Sequence, residues 1–158
     1  MVYDNVLQAV GHTPMIRLNR MNKPGNAQIL MKFEGLNVGG SIKTRTAYNM
    51  ILQAEKAGKI HKDTVIVEPT SGNQGIGLAL VGAVRGYKVV IIMPDSVSEE
   101  RRLLVRHYGA EVILVHDEGD IGACIQECLK EEYDEIENLE ERTMNYLEAL
   151  RGHQFIIY

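Results

Sequence analysis

Apolar and polar positions change their period along this chain. Between Thr64 and Val115, the apolar β-branched runs "TVIVEP", "YKVVIIMP" and "AEVILV" alternate with "IGLALVGAVRG" and "SEERRLLVRHYG", which have helical spacing. Strands that are apolar throughout are covered on both faces, and strands alternating with helices predict parallel β-α units. Right-handed crossovers then make a doubly wound α/β sheet, with helices on both faces, the expected architecture. A further helix is expected to begin near Asp120.

Upstream, "HTPMIRL" and "AQILMKFE" read as two short strands separated by "NRMNKPGN", where Pro24-Gly25 marks a bend. From Ser41 the period becomes helical. "SIKTRTAYNMILQAEKAGKI" places Ile42, Ala47, Met50, Ile51 and Ala54 on one side, with Ser41 as N-cap and Gly58 as stop. Downstream, "EEYDEIENLEERTMNYLEAL" is acidic, yet Ile136, Leu139, Tyr146 and Leu150 recur at helical intervals. It predicts an amphipathic helix whose carboxylates form a solvated face or an acidic interaction face. Three segments result: N-terminal strands at 1–36, a small α/β domain at 37–130 and an acidic helical tail at 131–158.

Composition adds exclusions. With 45% apolar and 24% charged residues in 158, the chain has the make-up of a globular protein. A net charge of −4 offers no basic field for nucleic acid or an anionic membrane. No apolar run is long enough to span a bilayer, and the first residues lack a signal-peptide layout, so a cytoplasmic location is expected. Cys124 and Cys128, four apart, read as buried free thiols on one helix face. A metal site would need more ligands than nearby His116, and none is expected.

Candidate chemistry lies in two glycine-rich stretches. "NVGGSIKTR" (37–45) resembles a nucleotide loop, but Ser41 and Ile42 intervene before Lys43-Thr44, which spoils the Walker spacing. "SGNQGIG" has Gly72, Gly75 and Gly77, which is not the dinucleotide fingerprint. Lys43 would sit in the first turn of its helix, where the macrodipole disfavours an ammonium group. Partial burial among Val38, Gly39 and Gly40 would push the same way, toward the neutral amine that attacks an aldehyde. Thr70 to Gly75 lies between a strand and a helix start, where N–H groups and the Thr70 and Ser71 hydroxyls can cradle a carboxylate. Asn73 adds an amide donor. Taken singly, each stretch also reads as a surface lysine near a helix start, or as a turn capping a helix.

"GHTPMIRL", "NVGGSIKTR" and "EPTSGNQGIGLA", in this order and spacing, resemble the fold-type II pyridoxal-phosphate enzymes of the cysteine synthase and cystathionine β-synthase family. The likeness runs from about residue 5 to residue 130. It implies pyridoxal 5'-phosphate as cofactor, held as an imine by Lys43, which also moves the substrate α-proton. It implies that Asn73 donates to the cofactor's phenolic oxygen, and that Thr70, Ser71, Gly72 and Gln74 hold the carboxylate of an amino-acid substrate. The implied activity is β-replacement on a serine-derived amino acid, with sulfide or another thiol as nucleophile, in a homodimer.

Departures from the family pattern are specific. Val38 stands where proline is usual, at a cost in loop rigidity, and Thr44 where aspartate is usual. Gln74 replaces the usual threonine of the substrate loop. Full-length members are about twice as long, and their second half brings a cofactor-phosphate loop that has no counterpart after residue 120. The first two strands belong, in the family, to the sheet of that second domain. The chain is therefore expected to be a truncated cysteine-synthase-like enzyme. The alternative is a non-catalytic remnant of the fold that acts as a binding module.

Overall fold

The computed structural model describes residues 2–20 and 22–116. Strands β1 (Met15–Arg17) and β2 (Leu30–Lys32) pair antiparallel, with Met15 opposite Lys32 and Arg17 opposite Leu30. The ladder gains one bond at each end, Leu18 N to the Ile29 carbonyl and Phe33 N to the Pro14 carbonyl. Pro14 accepts there but has no N–H to donate, so the ribbon stops at three residues per strand and is shorter than its apolar runs. Met15, Ile16, Leu30 and Met31 are all exposed among the described residues.

Helix α1 (Lys43–Lys56) ends where Gly58 adopts φ 66°, and Lys59 N closes back on the Ala54 carbonyl. Its buried side differs from the expected one. Thr44, Ala47 and Ile51 are buried, whereas Ile42 and Met50 are exposed. The neighbouring helix α2 (Asn73–Arg85) approaches along the Ala47 side, where Gly77 has no side chain to hold it away. Ile42, five residues earlier, is about 140° around the helix from Ala47.

Strands β3 (Val65–Pro69), β4 (Lys88–Pro94) and β5 (Glu111–Val115) form a parallel sheet in the order β3-β4-β5. Val67 lies opposite Val90, and Ile92 opposite Ile113. Helix α2 joins β3 to β4, and α3 (Glu99–His107) joins β4 to β5, the mixed α/β arrangement that the alternating pattern predicts. β4 is central, and Val89, Val90, Ile91 and Met93 are almost fully buried. α2 lies close against it because a Cβ at Gly82 would fall 2.3 Å from Val89 Cγ2. Gly86, at φ 81°, then ends α2 in the left-handed conformation that favours glycine. Each fully buried Val, Leu or Ile here contributes roughly 1.5–3 kcal/mol relative to exposure.

The helix expected near Asp120, Cys124 with Cys128, and the acidic tail helix all fall outside the described residues. Among the described residues, no helix is long and apolar enough to cross a membrane.

Candidate functional site

The lysine loop is built on backbone that only glycine adopts readily. Asn37 Oδ1 accepts from its neighbour Val38 N and from Gly11 N, each at 3.0 Å, and Gly40 N returns to the Asn37 carbonyl at 2.8 Å. Gly39 and Gly40 follow at φ 78° and 76°. Ser41 is extended and Ile42 already helical, so Ser41 occupies the capping position. Its Oγ accepts from Lys43 N at 2.9 Å, satisfying an otherwise unpaired N–H of the first turn.

Val38 and Thr44, the two loop positions that depart from the family pattern, touch each other. Thr44 is buried, and its hydroxyl donates to the Val38 carbonyl. An ionised aspartate could not donate there. The hydroxyl therefore ties the loop to α1, offsetting the rigidity that a missing proline was expected to cost. A Cβ at Gly39 would lie 2.7 Å from Thr44 Oγ1, so this bond also requires the glycine.

Lys43 itself is exposed, and the expected partial burial among Val38, Gly39 and Gly40 is not found among the described residues. Glycines without Cβ atoms screen little of a neighbour. Lys43 opens its helix with no carboxylate within ion-pair distance among the described residues.

The second loop leaves the C-terminal end of β3. Thr70 N donates to the Ile92 carbonyl at 2.8 Å, and Thr70 Oγ1 accepts from Gly72 N at 3.3 Å. Arg101, from α3, donates to the Ser71 carbonyl at 3.3 Å. A Cβ at Gly72 would meet nothing, and Asn73, exposed, opens α2. Thr70, Ser71 and Gly72 thus form one short turn ahead of a helix start. Gln74 does not present its amide with them: it contacts Met50 Sδ on α1 at 3.5 Å, and its buried Oε1 has no partner. Glu68, on the strand before the loop, is half-buried, and that burial pushes its carboxyl above the usual range.

Gly77 brings α2 against the first turn of α1, a role that the dinucleotide fingerprint does not reveal. A Cβ there would lie 3.1 Å from the Lys43 carbonyl oxygen and 3.0 Å from Ala47 Cβ. Asn73 is four residues before Gly77 and shares its face of α2. The first turn of α1 therefore packs against Gly77 of α2, one turn after Asn73.

A polar cluster missed in the sequence backs the lysine loop. Arg45 donates from Nε and Nη2 to the two carboxylate oxygens of Glu34, at 2.9 and 2.8 Å. Thr13 Oγ1 adds a donor to Glu34 at 2.6 Å, and Asn37 Nδ2 another at 3.0 Å. Arg45 Nη2 also reaches the Gly11 carbonyl at 2.8 Å. Hydrogen bonds from Arg45 first, then Thr13, hold the Glu34 carboxyl at about 2, against an ordinary 4.5. Thr13, Glu34, Asn37 and Arg45 lie within "HTP", "FEGLN" and "KTR", where their helical and turn roles disguise the clustering.

These residues fit one side of a flat aromatic aldehyde. An exposed primary amine, Lys43, opens α1, and an exposed amide donor, Asn73, opens α2. At Gly40 and Gly72 a Cβ would meet open space, so the backbone can lie close to a ring.

Comparison with known proteins points the same way. Residues 6–149 match the family described as "Pyridoxal-phosphate dependent enzyme". Cysteine synthase B of Escherichia coli (strain K12) is 47% identical over 111 residues, which are 70% of this chain and 37% of that protein. The crystal structure of a hydrogen sulfide-producing enzyme from Fusobacterium nucleatum superposes with TM-score 0.75 at 46% identity, covering 85% of this chain and 43% of that one. Cysteine synthase from Entamoeba histolytica gives TM-score 0.75 at 37% identity, covering 85% of this chain and 41% of that one. The chain spans less than half the length of these relatives.

Proposed function

Because the chain belongs to the pyridoxal-phosphate dependent enzyme family, we propose that it forms the lysine and substrate-carboxylate side of a cysteine-synthase-like site. The reaction is β-replacement on a serine-derived amino acid, with sulfide or another thiol as nucleophile and pyridoxal 5'-phosphate as cofactor. The observation that supports this reading is the packing of the Lys43 carbonyl and Ala47 against Gly77, which brings the first turn of α1 against α2, the helix that follows the Thr70–Gly72 turn.

When bound, pyridoxal phosphate supplies the electron sink that makes an amino acid's α-proton removable. Lys43 Nζ would hold the aldehyde carbon and, once released from it by the substrate amine, would take the proton from the substrate Cα and return it. Asn73 would donate its amide to the oxygen on the aromatic ring. The Ser71 N–H and the Thr70 and Ser71 hydroxyls, with the Gly72 N–H shared with Thr70 Oγ1, would hold the substrate carboxylate at the α2 start, where the partial positive charge favours an anion. Gln74 closes the turn against Met50 of α1. The same reading places the working protein in the cytoplasm as a homodimer; the apolar residues exposed on β1 and β2 support association.

Titration with pyridoxal phosphate tests the site. A visible absorption band distinct from that of the free aldehyde is expected, and it should be absent in Lys43→Ala. A parent protein that develops no such band at any workable concentration would sink the enzyme reading in favour of a non-catalytic binding module.

A further inference from the structure

Lys43 is the second helical residue of a loop built from two left-handed glycines, a kind of backbone with little regular hydrogen bonding of its own. Something must fix where the loop delivers the lysine. On one side the Lys43 carbonyl rests on Gly77 of α2. On the other lies the Glu34–Arg45 pair.

Arg45 is two residues after Lys43, about 200° around the helix. Its side chain therefore points away from the lysine and can be anchored without touching it. The anchoring is extensive. Arg45 makes a two-pronged bond to Glu34 and also reaches the Gly11 carbonyl and Thr13 Oγ1. Glu34 in turn accepts from Asn37, whose Oδ1 accepts from Gly11 N and Val38 N. Three chain segments, Gly11–Thr13, Glu34–Val38 and the first turn of α1, are thus joined through one carboxylate. Thr13 and Asn37 are buried, as a network that holds backbone in place requires. A Cβ at Gly11 would strike Arg45 Nη1 at 2.6 Å, so the guanidinium is also closely walled. With Glu34 ionised, the pair carries no net charge toward Lys43, and what it can give the lysine is position.

We propose that Glu34 and Arg45 are positioning residues for Lys43: their two-pronged bond sets the placement of the lysine amine by clamping the first turn of α1 to the Gly11–Thr13 and Glu34–Val38 segments. This rests on Lys43 being the carbonyl-binding lysine. Helix α1 supplies internal controls. Its last residue, Lys56, is a reference amine, and a second two-pronged pair, Arg85–Glu55, ties α1 to α2 far from Lys43. The two-pronged geometry is what lysine cannot reproduce in place of arginine.

The test treats parent, Arg45→Lys, Glu34→Gln and Arg85→Lys with pyridoxal phosphate and borohydride, and measures the adduct at Lys43 relative to Lys56 by peptide mass. Melting temperatures and amide exchange over residues 38–45 are recorded alongside. The proposal expects the Lys43/Lys56 ratio to fall about tenfold or more in Arg45→Lys and Glu34→Gln, with faster exchange over 38–45, as misplacement of a reacting group predicts. Arg85→Lys should keep the parent ratio and the parent exchange over 38–45. If Arg45→Lys does not fold, Glu34→Gln decides alone. Parent ratios in both site variants, or losses matched by Arg85→Lys, would overturn the proposal. A parent protein showing no preference for Lys43 would remove the lysine assignment, and the positioning role with it.

Discussion

Helix α1 begins and ends on a lysine, and an arginine–glutamate pair ties it down near each end, yet the surroundings of the two ends differ. At the far end the pair bridges two regular helices. Arg85 of α2 meets Glu55, Tyr87 Oη adds one bond to it at 3.0 Å, and no backbone there depends on them. At the near end the same chemistry holds together a loop with two left-handed glycines, three buried polar residues and a capping serine. Helix-on-helix packing needs only a surface pair, because the apolar contact already fixes the geometry. Irregular backbone needs a network, because it lacks the repeating hydrogen bonds of a helix or strand. The end that has the network is also the end that carries the candidate amine.

Substitutions that break this contrast rank by how much backbone they disturb. Gly39→Ala should be the most damaging, since it places a Cβ at φ 78°, 2.7 Å from the hydroxyl that ties Thr44 to Val38. A loss of about 2–4 kcal/mol is expected, combining left-handed strain with overpacking. Gly40→Ala, at φ 76° but with open space around the new methyl, should lose only the strain, about 1–2 kcal/mol. Urea midpoints of the two variants give the ranking, and equal losses would show that Thr44 has room to move. Ser41→Ala removes the cap of Lys43 N and should lose about 1 kcal/mol. At the far end, Arg85→Met breaks a half-exposed pair, and about 0.5 kcal/mol is expected.

Acid gives a second way to separate the ends. The Glu34 carboxyl is held at about 2 when folded, against 4.5 ordinarily. Its contribution is therefore fully present above about pH 4.5 and is lost as pH falls through about 2. Glu55 is lowered in the same direction, first by Arg85. Denaturation midpoints of the parent and Glu34→Gln should converge as pH approaches 2. A gap that stays constant down to that pH would show that the carboxylate charge is not what the network uses.

Much of this was legible in the residues, for identifiable reasons. The parallel sheet follows from β-branched apolar runs such as "KVVIIM", which can only be covered on both faces. The Ser41 cap and the Gly58 stop are local, set by groups within a turn of one another. The burial of Thr44 in place of Ile42 and Met50 was hidden, because it depends on where α2 approaches. The roles of Gly77, Glu34 and Arg45 depend on contacts across sequence separations that periodicity does not see. Gln74 shows the same limit: its place in the loop was readable, whereas the turn of its amide toward Met50 was not.

The central claim is that the start of α1 is its reactive end. Borohydride trapping of pyridoxal phosphate on the parent protein, followed by peptide mass mapping of Lys43 against Lys56, tests it most directly. These two lysines share one helix and differ in what surrounds them. An excess of adduct at Lys43 of about tenfold or more is predicted, equivalent to about 1.4 kcal/mol of preference. Equal labelling of the two lysines would contradict it.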